Sequence, residues 1–293
     1  MIITHKIAAL TATLTTSLSL LAAPAMAFSI GATNNIETLK NNLLGANTAG
    51  LSNFSVSITG NAAAFGTFTN DPFGLTSGVV LSTGKVADIR GKNRKDNFTI
   101  ENSDLSTDFG PYGEEGDLTQ LNLSFFANST VEKLVFQYVF ASEEFPEFGA
   151  YEEYNDDFEL LLNGTNLAKL SDGKTVTINN LVPEPNNRSK DHPDYIDNPS
   201  LTGIAANIIK LDGFTKVLGF EGLLKQNQRN VLSIRIKDVG DGKLDSAVFI
   251  KGGSVETVQA EPVPEPMTVG GLMAGGAMLA AGRKLRNRRD GSN

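Results

Sequence analysis

Eight short apolar runs, broken by Gly, Asn, Asp and Pro, most constrain this fold: "FSVSITG", "GVVLSTG", "TQLNLSFFA", "KLVFQYVFA", "FELLLNG", "KTVTINNL", "VLSIRIKDVGDG" and "SAVFIKGG". Runs this short, closed by turn residues, suit strands and leave little room for long helices. In "LSIRIKD" the side chains Leu232, Ile234 and Ile236 alternate with Ser233, Arg235 and Lys237, which predicts a strand with one solvated face. In "LVFQYVFA", Leu134, Phe136, Tyr138 and Phe140 occupy one face and Val135, Val139 and Ala141 the other, so both faces are predicted to be covered. Many short strands at turn-bounded spacing indicate an antiparallel sandwich or barrel, and the expected architecture is all-β, an antiparallel β-sandwich of jelly-roll type. A short amphipathic helix precedes it in "ATNNIETLKNNLLG", with Ile36, Leu39, Leu43 and Leu44 on its apolar face. "EPNNRSKDHPDYIDNPS" is the longest polar insertion and reads as a mobile surface loop.

The chain has no cysteine and no tryptophan, so disulfides, a thiol nucleophile and cysteine-based metal centres are excluded. Charge is unevenly distributed. Between Phe28 and Pro262 lie 19 basic and 31 acidic residues, a net charge of −12. Such a body repels phosphate, which argues against nucleic acid and anionic lipid as partners and makes cations its natural counter-charge.

The two ends differ from the body. Residues 1–27 read as a signal peptide: Lys6 supplies the positive start, an apolar run follows, and Ala25-Met26-Ala27 matches a signal peptidase site, with cleavage after Ala27. At the other end Met267 to Gly282 is an uncharged run of 16 residues, about 24 Å as a helix, followed by Arg283, Lys284, Arg286, Arg288 and Arg289. A basic flank of this kind stays in the cytoplasm, so the helix is expected to hold the chain at the membrane with the body outside.

Two resemblances follow from these residues. Val263, Pro264, Glu265 and Pro266, with the apolar helix and Arg-rich end, make residues 260–293 resemble the PEP-CTERM sorting signal of Gram-negative bacteria. The resemblance implies that an exosortase recognises the Pro-Glu-Pro element, removes the helix and passes the protein to the cell surface or matrix. Residues 28–259 resemble the choice-of-anchor L domain through "FGTF", "FGLTSGVVLSTG", "FQYVFASEEFPEF", "YNDDF", "NLAKL", "VTINN", "YIDN", "LDGFTKVL" and "IKDVGDGKLDSAVFI". Asp157 departs from the pattern, where a hydrophobic residue is expected. That resemblance implies an exported protein and supplies no established reaction.

Catalysis finds little to build on. His192 is the single histidine beyond the signal segment, in what reads as a solvated turn, and no Gly-x-Ser-x-Gly elbow accompanies it. Glu143 and Glu144 are adjacent, so on a strand they point to opposite faces and do not form a glycosidase pair by themselves. The expected function is a non-catalytic surface or matrix protein of adhesive or structural role. The alternative is a carbohydrate-binding module for extracellular polysaccharide, with Tyr112, Tyr151, Tyr154 and Tyr195 as candidate contacts.

The acidic residues suggest calcium, which takes about six to eight oxygens drawn from several loops. Three segments at strand ends offer them: Glu143 and Glu144 after "YVFAS", Asn155 and Asp156 before "FELLL", and Asp238, Asp241 and Asp245 in "DVGDGKLDS". Glu144, Asp156 and Asp241 are the leading ligands, each within a motif of the family resemblance. None of the segments has EF-hand spacing.

Overall fold

The computed structural model describes residues 27–44, 48–95, 103–110, 118–240, 242–253 and 256–259. Across them the alternating runs pair into two antiparallel sheets. The larger has nine strands: β1 (Ser29–Ala32), β3 (Phe65–Thr69), β4 (Ser77–Ser82), β6 (Val131–Ser142), β10 (Tyr195–Asp197), β11 (Gly213–Thr215), β12 (Leu218–Leu223), β14 (Ser246–Lys251) and β15 (Glu256–Gln259). The smaller has six: β2 (Leu51–Thr59), β5 (Leu118–Ala127), β7 (Asp157–Leu162), β8 (Thr165–Asn166), β9 (Val176–Thr177) and β13 (Gln228–Lys237).

β6 organises the larger sheet because it is long enough to serve two partners on each side. β11 and β12 follow one another along one edge, and β14 and β15 along the other. Between β11 and β12 the ladder is interrupted, and the Thr215 hydroxyl accepts the Phe140 N–H at 3.1 Å in its place. Leu134, Phe136, Tyr138 and Phe140 point into the core between the sheets, where they meet Leu121, Leu123, Phe158, Leu232, Ile234 and Ile236. Val139 and Ala141 point the other way, into a second core with Phe28, Phe68, Val80, Ile209, Phe214 and Phe249. β6 is therefore covered on both faces from Tyr138 onward. Its first half, with Gln137 exposed and Val135 half-buried, is open on the outer side. The alternation in β13 holds as expected, with Ser233, Arg235 and Lys237 half-buried opposite three fully buried partners.

The helix is shorter than its sequence pattern. α1 (Ile36–Leu43) starts where the Asn35 side chain caps the Thr38 N–H at 2.9 Å, because Ala32 is already taken by β1. Leu39 and Leu43 are buried, whereas Ile36 is 40% exposed and lies off the packed stripe.

Two expectations are corrected. "KTVTINNL" contributes only the two residues of β9 before turning into the single-turn α2 (Ile178–Leu181). Thr177 Oγ1 accepts the Asn180 N–H at 3.1 Å, Asp156 O accepts the Ile178 N–H and Asn155 Oδ1 the Asn179 N–H, so capping overrides the β pattern. The polar insertion from Glu184 to Ser200 is not a free loop either. It contains β10, and Asp194 and Asn198 are buried within it because the Asn198 side chain bonds Leu211 O and the Ala205 N–H.

Candidate functional site

Antiparallel pairing decides which strand ends meet. β6 ends beside the start of β14, with Ser142 opposite Ser246, and β13 ends beside the start of β7, with Lys237 opposite Asp157. Both junctions lie at the same end of the sandwich, so the three acidic segments named from the sequence come together there. Glu143, Glu144, Asp156, Asp238 and Asp245 are all buried.

Asp156 ties the two sheets. Its Oδ1 accepts the Val239 N–H at 2.8 Å, and its Oδ2 accepts the Ser246 hydroxyl at 2.6 Å. The Ser246 and Ser142 hydroxyls are 2.9 Å apart, and Ser142 Oγ in turn accepts the Glu144 N–H at 2.9 Å. Asp238 Oδ1 closes its own loop by accepting the Gly242 N–H at 3.1 Å. Gly240 permits the turn, with a φ of 110° and no room for a side chain beside Glu153 O.

On the outer face of the larger sheet, Glu143 and Asp245 fasten the segment 103–110. Glu143 Oε1 accepts the Asp104 and Leu105 N–H groups at 2.5 and 3.2 Å. Asp245 Oδ1 accepts the Thr107 N–H at 2.8 Å. Burial, reinforced by the charges of Asp104 and Asp245, raises the Glu143 carboxyl well above the ordinary glutamate range. Asp104 was not singled out from the sequence. It lies in a polar stretch without periodicity and joins the cluster through its backbone N–H, a contact that leaves no mark in residue type.

Several expected site residues stand elsewhere. Asn155 is spent on capping α2. Asp241, Ala25 and the sorting residues Val263, Pro264, Glu265 and Pro266 lie outside the described residues. Ala27 is described and exposed, and the next residue, Phe28, is buried with its ring 6.4 Å from that of Phe249. Among the described residues, no three Asp, Glu or His side chains converge on one metal position. Nor is any helix among them long and apolar enough to cross a membrane; the run 267–282 lies outside them.

His192 is a correction: it is 8% exposed, not solvated. Its Nδ1 accepts the Asp194 N–H at 3.1 Å, and its Nε2 lies 3.4 Å from Asp172 Oδ1, so it joins two loops. Of the candidate sugar contacts, Tyr112 lies outside the described residues. Tyr195 belongs to β10 and packs its ring on Phe145, while its hydroxyl donates to Asp197 Oδ1 at 3.1 Å. Tyr154 is half-buried edge-on to Phe148. Tyr151 is exposed and borders a cleft of about 370 Å³ with Pro183, Pro185, Asn186 and Asn187.

Two stacked antiparallel sheets with acids buried at one end make a β-sandwich domain. The chain belongs to the choice-of-anchor L domain family, whose match spans residues 29–256. Searches of curated proteins and of solved structures returned no match.

Proposed function

We propose that this is an exported, non-catalytic protein of the cell surface or extracellular matrix, adhesive or structural in role. Signal peptidase would release it at one end and an exosortase would sort it at the other. The observation that carries this reading is the family match, which fills the chain between the signal segment and the Val263–Pro266 motif. Burial of Phe28, the residue that cleavage after Ala27 would leave first, supports it as well. Calcium at the acidic end belongs to the same reading, because the space outside the cell supplies it at millimolar concentration.

Intact-mass analysis of protein recovered from the cell surface or medium tests the proposal. The expected species begins at Phe28 and lacks Met267 onward. Recovery solely from the inner membrane, with the Arg-rich tail attached, would replace sorting by simple anchoring.

The Tyr151 cleft favours a second reading as a carbohydrate-binding module. An exposed tyrosine ring beside two asparagine amides suits the apolar face and hydroxyl rim of a sugar. Glycan-array binding lost in Tyr151→Ala would support this reading, and no binding by the wild type would remove it.

A further inference from the structure

Carrying the β6–β14 register one step past Ser142 and Ser246 places Glu143 directly opposite Asp245. The step is real, because the Glu143 N–H donates to Asp245 O at 3.1 Å. Both residues continue the face of Ala141 and Ala247, which line the second core, so their side chains share the outer side of the sheet. Cross-strand neighbours of this kind have Cβ atoms about 5 Å apart, and like charges in that position repel. Here the repulsion is set inside the protein, with Glu143 3% and Asp245 1% exposed.

The backbone is shaped around this pair. Gly84, just beyond β4, lies against Asp245 so closely that a Cβ there would fall 1.8 Å from Asp245 Oδ2. On the far side of Glu143, Asp212 accepts the Asn93 amide at 2.5 Å. Lys95, which ends the preceding described stretch, turns its Nζ to Ser103 O at 3.0 Å.

A second, independent feature points to a ligand. Glu143 Oε1 is satisfied by two N–H groups, but Oε2 is sealed from solvent and has no hydrogen-bond partner. A buried carboxylate oxygen without a donor, on a residue whose cross-strand neighbour is a second buried acid, is an arrangement that a hard cation stabilises. We infer that Glu143 Oε2 and Asp245 hold a calcium ion between the ends of β6 and β14, with water and backbone oxygens completing its shell.

Only two carboxylates contribute, since no third acid among the described residues converges with them. So low a ligand charge places the affinity in the range of extracellular modules, about 0.1 to 1 mM. Calcium is favoured over magnesium because an irregular pair of carboxylates suits its flexible geometry and not a strict octahedron. This inference rests on the surface reading only for the supply of calcium, and its test is separate from the location of the protein.

The test is calorimetric titration and thermal melting of the whole chain, stripped with chelator and then titrated with calcium chloride. Saturable binding in the sub-millimolar to millimolar range is expected, with a melting temperature several degrees higher at about 10 mM calcium. Glu143→Gln and, separately, Asp245→Asn should weaken binding at least tenfold, while Asp172→Asn, on the surface, should leave it unchanged. Absence of heat and of any melting shift in the wild type would overturn the inference without reference to the variants, leaving Glu143 as a buried protonated acid. It would be overturned equally by wild-type affinity in both folded variants, or by an identical response to magnesium.

Discussion

Asp156 and Ser246 join the two sheets through a single contact, carboxylate Oδ2 to hydroxyl at 2.6 Å, although they stand 90 residues apart in the chain. Both are fully buried, and the other Asp156 oxygen holds the Val239 N–H. Replacement by alanine deprives the Val239 N–H and the Ser246 hydroxyl of this acceptor, so Asp156→Ala should lose about 2–4 kcal/mol in urea unfolding. Asp156→Asn, which keeps one acceptor, should lose roughly half as much. A midpoint equal to that of the exposed control Glu152→Ala would show that the tie does not matter.

Phe136 lies in the inter-sheet core with its ring 4.6 Å from that of Phe220 on the neighbouring strand. Phe136→Ala removes that packing and should cost about 3–5 kcal/mol. Lys133→Ala, which breaks a surface ion pair with Glu221, should leave the midpoint nearly unchanged. Equal effects in a chemical denaturation series would contradict the placement of β6.

Gly84→Ala tests the close approach to Asp245. The added methyl would lie 1.8 Å from Oδ2 and 2.1 Å from Cγ, so the acid must be displaced, at roughly 1–3 kcal/mol. The Asp245→Gly background should restore much of that loss. If Gly84→Ala unfolds at the wild-type midpoint, the packing around Asp245 is looser than described.

Asp157 gives a pH dependence of defined sign. Burial raises its carboxyl above the ordinary aspartate range, Glu159 adds to the shift, and Arg235 and Lys237 oppose it. The folded state then holds this proton more tightly than the unfolded chain, so stability falls as pH rises from about 3.9 through the raised folded value. Asp157→Asn removes that contribution. Its urea midpoint relative to wild type should be higher at about pH 7 than at about pH 4, and a constant difference across that range would be the contrary result.

The parts of the fold legible in the sequence are those whose side chains carry the period. β13 and β6 announce themselves through Leu232, Ile234, Ile236 and the run from Leu134 to Ala141. β12 does not, because Gly219 and Gly222 interrupt its pattern and its place depends on pairing with β6. At the acidic end the residue types were legible and their meeting was not. Which loops touch is set by strand register, so Asp156 and Ser246 gave no sign of each other, and Asn155, equal to Asp156 on composition, turned out to cap α2. The sequence favours Glu144, Asp156 and Asp241 as ligands. Yet Asp156 has both oxygens engaged inside the protein, and Glu143, adjacent to a favoured residue, has the oxygen without a partner.

The course of β6 has one more consequence. β15 runs antiparallel to it and brings Gln259 beside Val131, at the opposite pole from Ser142 and the buried acids. Twelve residues of extended chain separate the poles, roughly 36 Å. A chain tethered through whatever follows Gln259 would thus stand upright on its leash with the acid-lined pole farthest from the attachment, where the first thing it meets is the medium and not the surface that holds it.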